Sequence, residues 1–321
     1  MYHVLIPDNI DKQAIELLER HPAFSVNAPG KMTRKEALAA AAAAHALVIR
    51  SSTIVDDEFI ESAPNLRAIA RAGVGIDNVD LAAATARGII VMNTPDGNTI
   101  STAEYAFGMM LALARNVPQG HQSLCEGKWD RKAYMGTELR GKTLGIVGFG
   151  RVGRAVARRA RAFDMTVIAV DPSLQPGDDA KHEVEGVDLD TLFKRSDFIS
   201  LHAVINDETR GLICAENIIK MKTGVYIINT ARGGLINDQD LAVALQHGHV
   251  AGAALDVYHQ EPPPPDNPLL GLSNVIHTPH LAASTNDAQI QVGIDAAQQI
   301  IDGLTATDFR NVCNTEVLHR V

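Results

Sequence analysis

At 321 residues the chain is too long for one small domain, and 46% apolar with 21% charged side chains argues against wholesale disorder. A formal net charge of -9 and only 4% aromatic residues argue against a nucleic-acid binder, which needs a basic face and stacking platforms. Cys125, Cys214 and Cys313 are odd in number, far apart in sequence and form no C-x-x-C pair, which predicts reduced thiols in a cytoplasmic protein.

The start MYHVLIPDN reads as a strand, and it lacks the basic and apolar regions of a signal peptide. No run of about 18 apolar residues occurs, so no membrane span is expected. Strands are predicted in chain order at His3–Pro7, Ala46–Arg50, Ala68–Arg71, Ile89–Asn93, Thr143–Gly148, Thr166–Asp171, Phe198–His202, Val225–Asn229 and Val275–Thr278. Each is a short apolar run bounded by Gly, Pro, Asn, Asp or a charge, as strands buried on both faces require. Ala-rich helical stretches lie between them. The pattern predicts an α/β protein with two doubly wound parallel sheets.

Leu38–Leu47 is nearly all alanine. It is either low-complexity sequence or a tightly packed helix, and alanine's helix propensity favours the helix. Ser101-x-x-Glu104 has the form of a capping box opening a helix, with Ala103, Phe107, Met110, Leu111 and Ala114 on one face. Ser284 precedes a long helical pattern over Asp287–Asp302. Pro262–Pro265 must be a stiff extended loop.

Gly148-Phe149-Gly150-Arg151-Val152-Gly153 fits G-x-G-x-x-G. A strand runs into it, a helix with Val152, Val156, Ala160 and Phe163 in register follows, and the next strand ends in Asp171, 18 residues after Gly153. The first glycine permits a tight turn, the second lets a pyrophosphate reach the backbone, and the third lets helix and strand pack closely. An acid at the second strand end would hold the ribose hydroxyls and repel a 2′-phosphate, so NAD is expected over NADP. A packing turn without a ligand is the alternative. Arg154, Arg158, Arg159 and Arg161 read as a solvated helix face.

Three later segments each end a strand-like run, where open α/β sheets bind ligands. They are Asn229-Thr-Ala-Arg232-Gly-Gly, Ala253-Ala-Leu-Asp256-Val-Tyr-His-Gln-Glu261-Pro and Thr278-Pro-His280-Leu-Ala-Ala-Ser. Arg, Glu and His are the parts needed to oxidise an α-hydroxy acid: Arg for the carboxylate, His as base, Glu to orient the imidazole. His280 could equally be a packed histidine. His277 and His280 are poorly spaced for a metal, and His247-x-His249 looks like an exposed helix end.

The segments ARAGVGIDNVD (70–80), VMNTPDGNTISTAEYAFGMM (91–110), GKWDRKAYMGTELRGKTLGIVGFGRVG (127–153), NTARGG (229–234), AGAALDVYHQEP (251–262) and TPHLAAST (278–285) resemble the D-isomer-specific 2-hydroxyacid dehydrogenases over nearly the whole chain. GKWDRKAYMGTEL points to the phosphoglycerate branch. The resemblance implies a Rossmann NAD-binding domain, 98–287, inserted into a flavodoxin-like substrate domain, 1–97 plus 288–321, with substrate in the cleft between them. It implies Arg232, Glu261 and His280 as catalytic residues. It implies cofactor contacts from Val74, Gly148, Gly150, Arg151, Val152, Gly153, Asp171, Ala203, Thr230, Ala231, Asp256 and Ala283. Substrate contacts would come from Arg50, Arg71, Gly73 and Asn98.

No metal is implied. A homodimer through the NAD-binding domain is, with a small hydroxy acid as the substrate and no nucleic-acid or membrane partner. The reaction implied is oxidation of 3-phospho-D-glycerate by NAD, the first step of serine synthesis. A glycerate, hydroxypyruvate or glyoxylate enzyme and an NADH-sensing corepressor-like protein are the alternatives. Two departures stand out. Val204 replaces a proline common two residues after the histidine at 202, so the adenine wall should differ. Ala282 replaces a common glycine and should crowd the nicotinamide pocket. With only Phe309–Val321 after the last helix, no serine-sensing regulatory domain is expected.

Overall fold

The computed structural model describes residues 1–174 and 184–319. Of the tail Phe309–Val321, Arg320 and Val321 therefore lie outside the described residues. The chain forms two compact units, Met1–Asn98 with Ser284–Val321, and Thr99–Ala283. The second crossing falls ahead of the expected residue 288. Thr285 rather than Ser284 caps the last helix, Asn286–Ala306, by accepting the Ala288 N–H, so the whole helix stays with the first unit. There Gly293 lets it lie against helix Lys12–Glu19, because a Cβ at 293 would sit 3.2 Å from the Ala14 methyl.

Among the described residues, the first unit holds a five-stranded parallel sheet ordered β2-β1-β3-β4-β5. Its strands are β1 Tyr2–Leu5, β2 Phe24–Asn27, β3 Ala46–Ile49, β4 Ala68–Arg71 and β5 Ile90–Asn93. This is the flavodoxin-like order. The second unit holds a seven-stranded parallel sheet ordered β12-β11-β10-β9-β6-β7-β8. Its strands are β6 Thr143–Val147, β7 Thr166–Val170, β8 Glu185–Gly186, β9 Phe198–Leu201, β10 Val225–Asn229, β11 Val250–Leu255 and β12 Val275–His277. The core of that order is the Rossmann arrangement, which reverses direction between β6 and β9. No helix among the described residues is long and apolar enough to cross a membrane.

Two expected helical features are corrected. The alanine run does not continue to Leu47. Its helix spans Arg34–Ala41, set by a capping box in which Thr33 and Glu36 satisfy each other's backbone N–H, and Ala46–Leu47 already belong to buried β3. Burial between two neighbouring strands outweighs alanine's helix propensity there. Ser101 and Glu104 form no capping box. Both lie inside helix Thr99–Ala114, and the Glu104 carboxylate instead accepts from Arg159 Nη2 at 2.8 Å. That arginine and Arg154 are also not simply solvated. Arg154 donates to the Phe149 carbonyl at 2.9 Å and lies over its ring, while Phe163 falls beyond the helix end and packs edge-on against Phe107.

Candidate active site

The parallel register of the second sheet ends level. Val147 pairs with Val170 and with Leu201, Leu201 with Asn229, Asn229 with Leu255, and Leu255 with His277. The next residue of each strand therefore lies in one row along the carboxyl edge: Asp171, Gly148, His202, Thr230, Asp256 and Thr278. The sequence-predicted residues of this unit stand in or just beyond that row, where such sheets bind ligands.

The glycine turn has the form of a pyrophosphate cradle. Gly148 adopts φ +92°, and a Cβ there would approach the Ala203 nitrogen to 2.6 Å. A Cβ on Gly153 would lie 2.2 Å from the Gly148 carbonyl oxygen, whereas nothing lies within 4 Å of one on Gly150. Two glycines thus allow close packing and the middle one leaves open space at the start of helix Arg151–Arg161. Val152 packs into the core from that helix, and Arg151 is exposed.

The Asp171 carboxylate closes the turn by accepting the Phe149 N–H at 2.7 Å and both the N–H and hydroxyl of Ser173. Burial pushes its pKa up, but those hydrogen bonds and the Arg154 charge outweigh it and hold the carboxyl below the usual range. Replacing Asp171 with alanine should narrow the preference for NAD over NADP, because Pro172, Ser173 and Leu174 bring no cation for a 2′-phosphate. Steady-state kinetics with both cofactors measures this. Equal efficiency in the parent protein would refute it.

His202 follows β9. The residue is half-buried, and Nε2 lies 2.8 Å from the buried Ser200 hydroxyl. Burial lowers its pKa to about 4. The unfolded chain binds this proton near pH 6.5 and the folded chain only near 4, so folding stability is lost as pH falls through that window. About 3 kcal/mol is the upper bound of that loss, reduced by the residue's partial exposure. Urea unfolding should show His202→Asn losing less stability than the parent between about pH 7 and pH 4.5. Equal losses would contradict the assignment.

Arg232, Glu261 and His280 come from three different strand ends. Buried Asn229 shapes the first turn: its side chain accepts the Ala231 N–H at 3.0 Å and donates to the Arg232 carbonyl at 2.9 Å. The Arg232 guanidinium donates to the Ala231 carbonyl at 2.8 Å. His280 adopts φ +55°, a left-handed conformation that costs a β-carbon-bearing residue free energy. Asp256 holds it there. The His280 N–H donates to the Asp256 carbonyl at 2.9 Å, and the fully buried carboxylate accepts the Thr278 hydroxyl and the Leu281 and Ala282 N–H groups at 2.6–2.8 Å. The imidazole itself projects outward, half exposed, with Nδ1 2.7 Å from Glu261 Oε2.

This is the geometry of an oriented acid–base pair and not of a packed histidine. Two roles were not read from sequence. Asp256 is fully engaged by its own chain, so it shapes the histidine loop whatever it does for a ligand. Asn229 shapes the arginine turn, and the polar residue closing the apolar run VYIIN was its signal. Ala282 is buried within the same loop.

The predicted residues of the first unit lie at the carboxyl edge of its own sheet. Arg50 and Arg71 follow or end the paired strands β3 and β4. Buried Asp8 accepts the Arg50 N–H at 2.5 Å and the Thr53 hydroxyl at 2.9 Å, and Asn78 donates to the Arg50 carbonyl. Burial lowers the Arg50 pKa while the Asp8 charge opposes the shift. Arg71 lies across Gly73, where a Cβ would meet its Nη1 at 1.7 Å, and the Gly73 N–H donates to Thr94. Val74 is partly exposed beside it, and its carbonyl accepts from Asn93. The Asn98 Oδ1 is buried with no hydrogen-bond partner.

Residues 107–282 match the family model of the D-isomer specific 2-hydroxyacid dehydrogenase, NAD binding domain. Among curated relatives, the hydroxypyruvate reductase of Thermotoga maritima is 47% identical, covering 94% of this chain and 98% of its own. The chain belongs to the D-isomer specific 2-hydroxyacid dehydrogenase family. The D-3-phosphoglycerate dehydrogenase of Archaeoglobus fulgidus is 48% identical over 97% of this chain, which spans 59% of that protein's length. A solved glyoxylate reductase from Paecilomyes thermophila superposes with a TM-score of 0.87 at 29% identity, covering 97% of this chain and 98% of its own. Membership identifies the second unit as the family's NAD-binding domain.

Proposed function

We propose that the protein is an NAD-dependent dehydrogenase that oxidises 3-phospho-D-glycerate to 3-phosphohydroxypyruvate, the first step of serine synthesis. The observation that carries this reading is the His280–Glu261 pair, 2.7 Å apart at the same sheet edge as Arg232 and the glycine turn. The similarity to D-3-phosphoglycerate dehydrogenase and the two arginines at the carboxyl ends of β3 and β4 of the first unit support the phosphorylated substrate.

In this reading Gly148, Gly150, Arg151, Val152 and Gly153 hold the pyrophosphate, and Asp171 the adenosine ribose. Ala203, Thr230, Ala231, Asp256, Ala283 and Val74 serve the rest of the cofactor. The buried Thr230 hydroxyl, which has no hydrogen-bond partner, suits that role. Bound there, NAD supplies the acceptor for the hydride leaving C2. Arg232 binds the substrate carboxylate. An imidazole that donates its Nδ1–H to Glu261 keeps the Nε2 lone pair for the C2 hydroxyl, so His280 accepts that proton. Glu261 then stabilises the imidazolium. Arg50 and Arg71 bind the phosphate, with Gly73 and Asn98 beside them in the role of substrate contacts.

The test is enantiomer-resolved turnover. NADH should form from 3-phospho-D-glycerate when the keto product is trapped, and not from the L isomer. Absence of NADH with the D isomer would overturn the reading. A second reading is reduction of unphosphorylated hydroxypyruvate, favoured by the Thermotoga relative whose full length this chain spans.

A homodimer through the second unit is part of the proposal. Trp129 and Met135 there are 77% and 81% exposed, and Val117 and Leu124 are each 57% exposed, apolar side chains that a second copy would cover. Sedimentation equilibrium should give a dimer, and a monomer at micromolar concentration would refute it. Three free cysteines support a cytoplasmic setting.

A further inference from the structure

Tyr258 lies midway between Asp256 and Glu261, and its main chain touches both halves of the proposed catalytic apparatus. Its N–H donates to Glu261 Oε1 at 3.1 Å, while the other oxygen of that carboxylate holds His280. Its carbonyl group packs against the arginine turn. A Cβ on Gly233 would lie 1.9 Å from the Tyr258 carbonyl carbon and 2.2 Å from its oxygen. A shift of residue 258 therefore moves Glu261 relative to the loop that carries Arg232.

Tyr258 is 8% exposed, and its side chain is anchored at its far end. The phenolic oxygen lies 2.9 Å from His277 Nδ1 and 3.4 Å from the Leu255 carbonyl. The two rings lie stacked, 24° from parallel. His277 closes β12, in register with Leu255, so its backbone is fixed by the sheet. Burial pushes the Tyr258 pKa up to about 12, helped by the charges of Asp256, Asp238 and Glu261. Burial also lowers the His277 pKa, and its Nε2 is buried without a hydrogen-bond partner. The phenol and the imidazole share one hydrogen bond whose direction follows the His277 tautomer. A phenylalanine would fill the same space, but only a hydroxyl fixes the ring's depth and tilt against the strand.

We propose that the Tyr258–His277 hydrogen bond is a positioning device that sets the separation between Arg232 and the Glu261–His280 pair. This rests on the dehydrogenase reading above. Neither residue is assigned contact with the reacting atoms.

The experiment compares Tyr258→Phe, His277→Leu, the double variant and His277→Gln, whose side-chain amide can still hydrogen-bond the phenol in either direction. Each of the first two leaves one buried polar group without its partner and should lower the unfolding midpoint, whereas the double variant removes both and should recover it. Turnover should not follow the midpoint. We expect kcat to fall about tenfold in both single variants and in the double, the scale of a small misplacement of catalytic groups. The NADH dissociation constant, read by fluorescence, should stay within about twofold, and His277→Gln should keep kcat within about twofold.

Recovery of kcat together with the midpoint in the double variant would overturn the proposal, because packing alone would then explain both. So would single variants with parental kcat. A parent that turns over no 2-keto acid with NADH would instead overturn the dehydrogenase reading itself.

Discussion

Replacing His280 with alanine should lower turnover by about 10²–10⁴ while NADH binding remains near that of the parent. The imidazole projects from a left-handed backbone position that the Asp256 carbonyl and carboxylate hold in place, and its Nδ1 is taken by Glu261. Nothing in the glycine turn depends on that side chain, so binding and chemistry should separate. Alanine also tolerates the substitution sterically, since the ring is half exposed. Turnover within about threefold of the parent would remove His280 from the role of base. Glu261→Gln should cost less, because the ring stays oriented by an amide while the imidazolium loses its anionic partner.

Replacing Arg50 and Arg71 together should raise the apparent Michaelis constant for the phosphorylated substrate by about 10²–10⁴. Each charge-assisted contact to phosphate contributes roughly 1.5–3 kcal/mol, about tenfold or more in affinity, and the phosphate is a dianion that one cation cannot satisfy. Both arginines sit on rigid supports, Arg50 on the Asp8–Thr53–Asn78 hydrogen bonds and Arg71 against Gly73, so neither should be replaced by a neighbouring flexible cation. Unphosphorylated hydroxypyruvate should be nearly unaffected, because its carboxylate belongs to Arg232 in the proposal. Equal losses on both substrates would show that the pair serves the fold or a shared substrate group.

The parts of the fold legible in sequence were those dictated by burial on both faces. β1, β3, β4, β5, β6, β7, β9, β10 and β12 each coincide with a predicted apolar run, with ends displaced by a residue or two where the chain turns, whereas buried β11, rich in alanine and glycine, was legible only as a strand-like run ending at Asp256. β2, Phe24–Asn27, is only partly buried at the sheet edge, and β8 has two residues, so neither carries that signal. The alanine run and the Ser101–Glu104 spacing misled for the same reason. Local propensity was read without the tertiary contacts that decide it, the burial of Ala46 and Leu47 in one case and the Arg159 ion pair in the other.

The site was legible as residue types at strand ends, and the glycine turn as a spacing. What spacing could not convey is how the groups are held. Asp256 reads as a ligand-facing acid, yet three donors from the loop after β12 converge on its carboxylate. Its partners lie 22 to 26 residues away, beyond any local pattern.

The most direct test of the central claim is kcat/KM for 3-phosphohydroxypyruvate against hydroxypyruvate, measured with NADH on the parent protein. Turnover of both, with a clear preference for the phosphorylated acid, is the expected result. A preference for hydroxypyruvate, or no oxidation of NADH with either, would contradict it.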